Sequence, residues 1–174
     1  MKYLVISTSL NPKSRSRILA REALAVLQET DPSAEWMDLI DHPLPLCDGD
    51  STYEDARAKA VREIIHRADG ILLAVPIYNF DVSAAAKNLL EIAGRAWSNK
   101  VVGFLCAAGG KASYMSVMGL ANNLMLDFRC IIIPRFVYAT GEAFVEEKLS
   151  NPDVRKRVRE VAKELARVSI ALKK

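Results

Sequence analysis

Hydroxyl and cationic residues crowd the segment Thr8–Ser16 (TSLNPKSRS), between an apolar run and a stretch with helical spacing. Ser9, Ser14 and Ser16 offer hydroxyl donors. The helix that must follow presents unpaired backbone N–H groups and the positive end of its dipole. Together these make an anion site, and phosphate is its natural occupant. Arg15 adds a charge-assisted pair of donors. The same serines also suit helix capping, a role that requires no ligand, and both readings stand at this level. Neither G-x-G-x-x-G nor G-x-x-x-x-G-K-[ST] occurs in the chain, so the phosphate belongs to neither a dinucleotide-fold cofactor nor a P-loop nucleotide.

Two further segments have ligand-facing chemistry. In VPIYNF, Pro76 ends an apolar run, and Ile77, Tyr78, Asn79 and Phe80 follow it. An aromatic and an amide there can lie against a flat ring. In AAGGKAS, Ala108, Gly109, Gly110 and Lys111 form a turn whose paired glycines let main-chain N–H groups approach a ligand closely. Taken singly, the first could be a loop aromatic covering the core and the second a tight strand-to-helix turn.

The elements that carry these loops follow from periodicity. Lys2–Ser7, Ala34–Leu39 (the weaker), GILLAVPIY, KVVGFLCA and CIIIPRFVYA read as strands, and the third and fourth are apolar on both faces, as buried parallel strands are. Helical spacing marks Ser16–Thr30, Tyr53–Ala68, Val82–Ala96, Ala112–Asp127 and a C-terminal helix striped by Val154, Val158, Val161, Ala162, Leu165, Val168 and Leu172. Strands alternating with helices imply right-handed crossovers. The expected fold is α/β, a flavodoxin-like three-layer α/β/α sandwich with a five-stranded parallel sheet of order 2-1-3-4-5, in one domain spanning residues 1–174. In such folds ligands bind beyond the carboxyl ends of the strands, which makes the three loops neighbours.

Composition excludes several classes. At 51% hydrophobic and 26% charged, with a formal charge of +3, the chain lacks the basic stripe of a nucleic-acid binder. No apolar run is long enough to span a bilayer. MKYLVIS enters a strand pattern with no signal-peptide organisation, so a cytoplasmic protein is expected. Cys47, Cys106 and Cys130 are widely spaced, which removes support for a zinc or iron–sulfur site. Cys106 and Cys130 sit in apolar runs as small hydrophobes, whereas Cys47 lies in a loop. His42 and His66 have no catalytic partner in sequence, and Asp41, Asp48, Asp50 and Glu54 are too irregularly spaced for a metal site.

The three loops, in this order, resemble the NADPH-dependent FMN reductases over roughly residues 1–140: S-x-x-x-x-S-R-S, then P-I-Y-N, then the G-G turn. The first loop is especially similar to that of the flavin reductases serving sulfonate desulfurisation, and ADGILLAVPIYNFDVSAAAKNLLE is similar to their stretch from third strand to next helix. Thr8 departs from the pattern, since many members have glycine before the first serine. The resemblance implies FMN, its phosphate held by Ser9, Ser14, Arg15 and Ser16. Pro76–Phe80 would border the ring system and ribityl chain, and the backbone of Ala108–Lys111 would face the pyrimidine edge. It implies hydride transfer from NADPH or NADH to flavin and on to a flavin, quinone or azo acceptor, with no protein nucleophile and no metal. It also implies a homodimer or homotetramer, for which the alanine-rich helix Val82–Ala96 is a contact candidate. A flavodoxin-type electron carrier without nicotinamide activity is the rival reading, disfavoured by the slightly basic charge. An iron–sulfur flavoprotein would need more cysteines than Cys47 in its region.

Overall fold

A computed structural model describes residues 1–173. Nine strands and five helices occur among them: β1 Tyr3–Ser7, α1 Arg15–Thr30, β2 Glu35–Asp38, α2 Ala56–Arg67, β3 Gly70–Tyr78, β4 Asp81–Val82, α3 Ala84–Ala93, β5 Val101–Ala108, α4 Met118–Phe128, β6 Ile131–Ile132, β7 Val137–Ala139, β8 Phe144–Val145, β9 Lys148–Leu149 and α5 Pro152–Ala171. The main sheet runs β2-β1-β3-β5-β6, with β4 added antiparallel to β3 and β7 added parallel to β5. It therefore has seven strands, which corrects the five-stranded, wholly parallel sheet expected from the sequence.

The reason is local. CIIIPRFVYA pairs with β5 at both ends but not in the middle. Pro134 has no N–H to donate and Arg135 takes a left-handed φ of 59°, so the edge strand breaks into β6 and β7. β4 arises because the residues after β3 fold straight back on it. Tyr78 pairs with Asp81 and Ile77 with Val82, leaving Asn79 and Phe80 as a two-residue turn. The helix expected from Val82 consequently starts only at Ala84, capped by Ser83 Oγ on the Ala86 N–H. The helix expected from Ala112 begins at Met118, after a 3₁₀ turn at Tyr114–Val117.

Strand alternation divides the core in two. Leu4, Ile6, Ile71, Leu73, Val75, Phe104 and Cys106 face α2, α3 and α4. Tyr3, Val5, Leu72, Ala74, Leu105 and Ala107 face α1 and α5. The second layer packs closely: a Cβ on Gly103 would sit 2.8 Å from Leu72 and 3.2 Å from Val161 of α5. Two helices on one face and three on the other bury β5 throughout and β3 as far as Ile77, so a ligand reaches these strands from the loops at their carboxyl ends.

Candidate active site

All three loops meet at one open cleft of about 1120 Å³ at the carboxyl ends of β1, β3 and β5. Ser9, Ser14, Arg15, Ser16, Pro76, Ile77, Tyr78, Asn79, Phe80, Ala108, Gly109 and Gly110 all line it. Lys111 does not. It turns to the rim and pairs with Glu142 at 2.9 Å.

The first wall is a fixed structure. Ser9, Ser14 and Ser16 are buried although they are polar. Ser14 is the N-cap of α1, its Oγ accepting from the Arg17 N–H at 3.3 Å, so the capping role is real. Ser14 Oγ and Ser16 Oγ lie 2.9 Å apart, and one of them donates to the other. Ser9 Oγ accepts from the Asn11 N–H at 3.3 Å. A helix start leaves its first N–H groups without intrahelical acceptors, and α1 begins with Arg15 and Ser16, which line the cleft beside these hydroxyls. Thr8 takes no part: its Oγ1 donates to the Ala74 carbonyl at 2.9 Å, which pins β1 to β3. Arg15 is exposed, with its guanidinium carbon 5.9 Å from the centre of the Phe144 ring, and forms no ion pair among the described residues.

Arg17 carries no signal in the sequence. It lies behind the loop, half-buried, and forms a two-pronged ion pair with the Asp38 carboxylate at the end of β2. The same guanidinium donates to the carbonyls of Ser9 (2.8 Å), Asn11 (2.6 Å) and Pro12 (3.1 Å). In sequence it is one arginine among several in a helix.

The second wall is the β3–β4 turn. Asn79 and Phe80 have φ of 50° and 63°, the pair of left-handed residues that a type I′ hairpin demands. Asparagine tolerates this well. Phenylalanine occupies the place glycine normally takes, and it is 68% exposed, as Tyr78 is 53% exposed. Strain that sets an aromatic side chain in the open beside a cleft is a mark of function.

The third wall is the turn after β5. Gly109 and Gly110 both avoid the left-handed region, and a Cβ on either would meet nothing within 4 Å. Neither backbone conformation nor protein packing requires glycine there, which leaves the empty space itself as the reason. Tyr138 Oη, from β7, donates to the Gly110 carbonyl. Tyr114 stacks on Phe136 at 4.7 Å and meets Tyr138 edge-on at 5.4 Å, so an aromatic cluster braces this turn. Phe144, Glu146 and Glu147 of the β8–β9 hairpin complete the rim. Nothing in their spacing announces them, because only the tertiary fold brings that hairpin over the first loop.

The other candidate side chains stay outside the cleft. Burial pushes the Cys106 thiol far up, and that of Cys130 up to about 11, where its Sγ lies 3.0 Å from the Trp97 carbonyl. Cys47 lies 3.7 Å from Tyr53 Oη. The Asp48 carboxylate accepts from Ser51, Thr52 and the Asp50 N–H, and these bonds hold it well below the usual carboxylate range. That makes the acidic loop a folded turn. No grouping of His, Cys, Asp and Glu suited to a metal ion occurs among the described residues.

The family described as NADPH-dependent FMN reductase matches residues 1–144. An NAD(P)H-dependent FAD/FMN reductase of Geobacillus thermodenitrificans is 30% identical over 99% of this chain and 96% of its own. An NADPH:quinone oxidoreductase of Arabidopsis thaliana is 34% identical over 78% of this chain and 73% of its own. In fold, the chain is similar to the flavoenzyme NAD(P)H:(acceptor) oxidoreductase FerB of Paracoccus denitrificans, with a TM-score of 0.76, 18% identity, and coverage of 98% of this chain and 97% of that one. With a family match over most of its length and a flavodoxin-like fold, the chain belongs to the NADPH-dependent FMN reductase family and is an FMN-dependent NAD(P)H oxidoreductase.

Proposed function

We propose that this protein binds FMN in the cleft by its phosphate and passes electrons from NAD(P)H to a flat aromatic acceptor: a free flavin, a quinone or an azo compound. One observation carries this reading. Three buried serines at a helix start share a cleft with an exposed aromatic turn and a pair of glycines whose Cβ space is empty. The residues present fit that cofactor. Ser9, Ser14 and Ser16, with the first N–H groups of α1, hold the phosphate, and Arg15 closes over it. Pro76–Phe80 border the ring system. The N–H groups around Ala108, Gly109 and Gly110 face the pyrimidine edge, where main-chain donors stabilise the negative charge of reduction. Lys111 stays at the rim, tied to Glu142. When bound, the flavin supplies hydride acceptance and electron delivery, so the protein needs no nucleophile or acid–base dyad. Exposed Tyr78 and Phe80 leave a platform for the nicotinamide and then the acceptor. The likeness of the first loop to the flavin reductases of sulfonate utilisation favours free flavin among the acceptors.

The chain acts as one domain, residues 1–174, in the cytoplasm, as a homodimer or homotetramer. No helix among the described residues is long and apolar enough to cross a membrane. In the alanine-rich segment Val82–Ala96, Ala86, Ala93 and Ala96 are buried in their own core. Its outward residues Ala84 and Ala85 line an apolar hollow with Leu10 and Leu46, 62% and 80% exposed, and this is the contact surface we propose. Leu46→Asp should shift the sedimentation profile toward monomer.

The deciding experiment records the visible spectrum of the purified protein with FMN, before and after anaerobic NADPH or NADH. Bleaching of the flavin bands is expected. Bound flavin that neither nucleotide bleaches would favour the electron carrier, and failure to take up FMN would overturn both.

A further inference from the structure

Arg17 does not line the cleft, yet more of the first loop depends on it than on any residue that does. Its side chain is 16% exposed and that of Asp38 is 5% exposed. Five hydrogen bonds leave the one guanidinium: two to the Asp38 carboxylate and one each to the carbonyls of Ser9, Asn11 and Pro12. Asp38 is itself anchored at the end of a strand. It pairs in register with Ser7, the Leu39 N–H donates to the Ser7 carbonyl at 3.0 Å, and Asp38 Oδ1 also accepts from the Ile40 N–H at 3.2 Å.

The arrangement has a direct electrostatic meaning. A peptide carbonyl facing a phosphate repels it, whereas an N–H or hydroxyl attracts it. Three carbonyls of this loop are drawn backward onto Arg17, away from the cleft, and the serine hydroxyls and the start of α1 remain on the cleft side. Arg17 contributes little attraction of its own, because Asp38 balances its charge at close range. Arg15, beside Lys13 on the cleft, is in no ion pair among the described residues and keeps its charge for a ligand. We infer that Arg17, held by Asp38, is a positioning residue for the FMN phosphate, acting through the loop that carries Ser9, Ser14 and Ser16. This rests on the reading that the phosphate occupies the first loop.

The planar five-donor fork is essential to this role. A lysine ammonium in its place can pair with Asp38 but cannot hold three carbonyls at the same time. The positional effect therefore separates from the charge.

The test compares FMN with riboflavin, which has the same ring and ribityl chain and no phosphate. Dissociation constants for both are read by flavin fluorescence quenching on the full chain. Wild type should prefer FMN strongly. Arg17→Lys should lower that preference at least about tenfold, the worth of one lost charge-assisted hydrogen bond, while riboflavin affinity stays unchanged. If Arg17→Lys fails to fold, the double variant Arg17→Met/Asp38→Asn removes both charges and should show the same loss of preference. A variant that keeps the wild-type preference overturns the inference, and so does one that loses both flavins equally, since that is the behaviour of a merely structural residue. A wild type that binds riboflavin as tightly as FMN, or neither, overturns the placement of the phosphate itself and the inference with it.

Discussion

The first and second walls of the cleft are built on opposite principles. The serine loop is buried, capped, and clamped from behind by Arg17 and Asp38. The Tyr78–Phe80 turn is exposed, carries two aromatic side chains, and holds Asn79 and Phe80 at left-handed φ values at a cost in strain. Both walls serve the same cofactor in the proposed function. A tail that must stay bound needs donors whose positions are settled before it arrives, because ordering them on binding would subtract from affinity. A ring face that must meet one substrate and then another needs open, adaptable surface. The difference between the walls is the difference between gripping and exchanging.

The largest effect should come from breaking the clamp. Asp38→Ala leaves a mostly buried guanidinium without its counter-charge, and a loss of about 3 kcal/mol is expected in urea unfolding. If stability hardly changed, the first wall would be less fixed than the comparison holds. Next come the two serines. Ser14→Ala removes an N-cap and should cost about 1 kcal/mol of stability as well as weakening FMN binding. Ser16→Ala removes no cap, so it should weaken FMN binding with little change in melting temperature. Equal stability losses and unchanged FMN affinity in both variants would reduce the serines to capping.

On the second wall the sign reverses. Phe80→Gly relieves a left-handed aromatic, so melting temperature should rise, by about 1 kcal/mol of stability, while the acceptor KM increases. A fall in stability would mean that Phe80 is held by packing and is not displayed for use. The smallest effect lies outside both walls. Asp55 caps α2, and its hydrogen bonds with Arg57 and the helix N–H groups lower its carboxyl from 3.8 to about 2. Its contribution is complete above pH 3.8 and is lost as pH falls toward 2. Asp55→Asn should therefore flatten the pH dependence of stability between pH 4 and 2 and leave flavin selectivity unchanged. A change in selectivity would break the assignment of phosphate recognition to the first wall.

Much of this protein was readable from residue order alone. Apolar runs of period two and stripes of period three to four set the layers, because burial on a sheet or helix face imposes those periods locally. The switch-point rule then brought Ser9–Ser16, Pro76–Phe80 and Ala108–Gly110 to one edge. Tertiary structure decided what has no local signal. Pro134 is a local signal, but which ladder bonds it would interrupt was settled only by the pairing of the edge strand with β5. Lys111 was expected to turn its backbone to the ligand, but it sits at the rim, where Glu142, distant in sequence, pairs with it. Arg17 and Asp38 are separated by a helix and a turn, and their pairing exists only once β2 lies against β1. Sequence thus determined most of the groups that reach the cleft, though not the β8–β9 hairpin that completes its rim. The fold decided which of them are free to act there, since a charge or carbonyl is available only if no distant partner has already taken it.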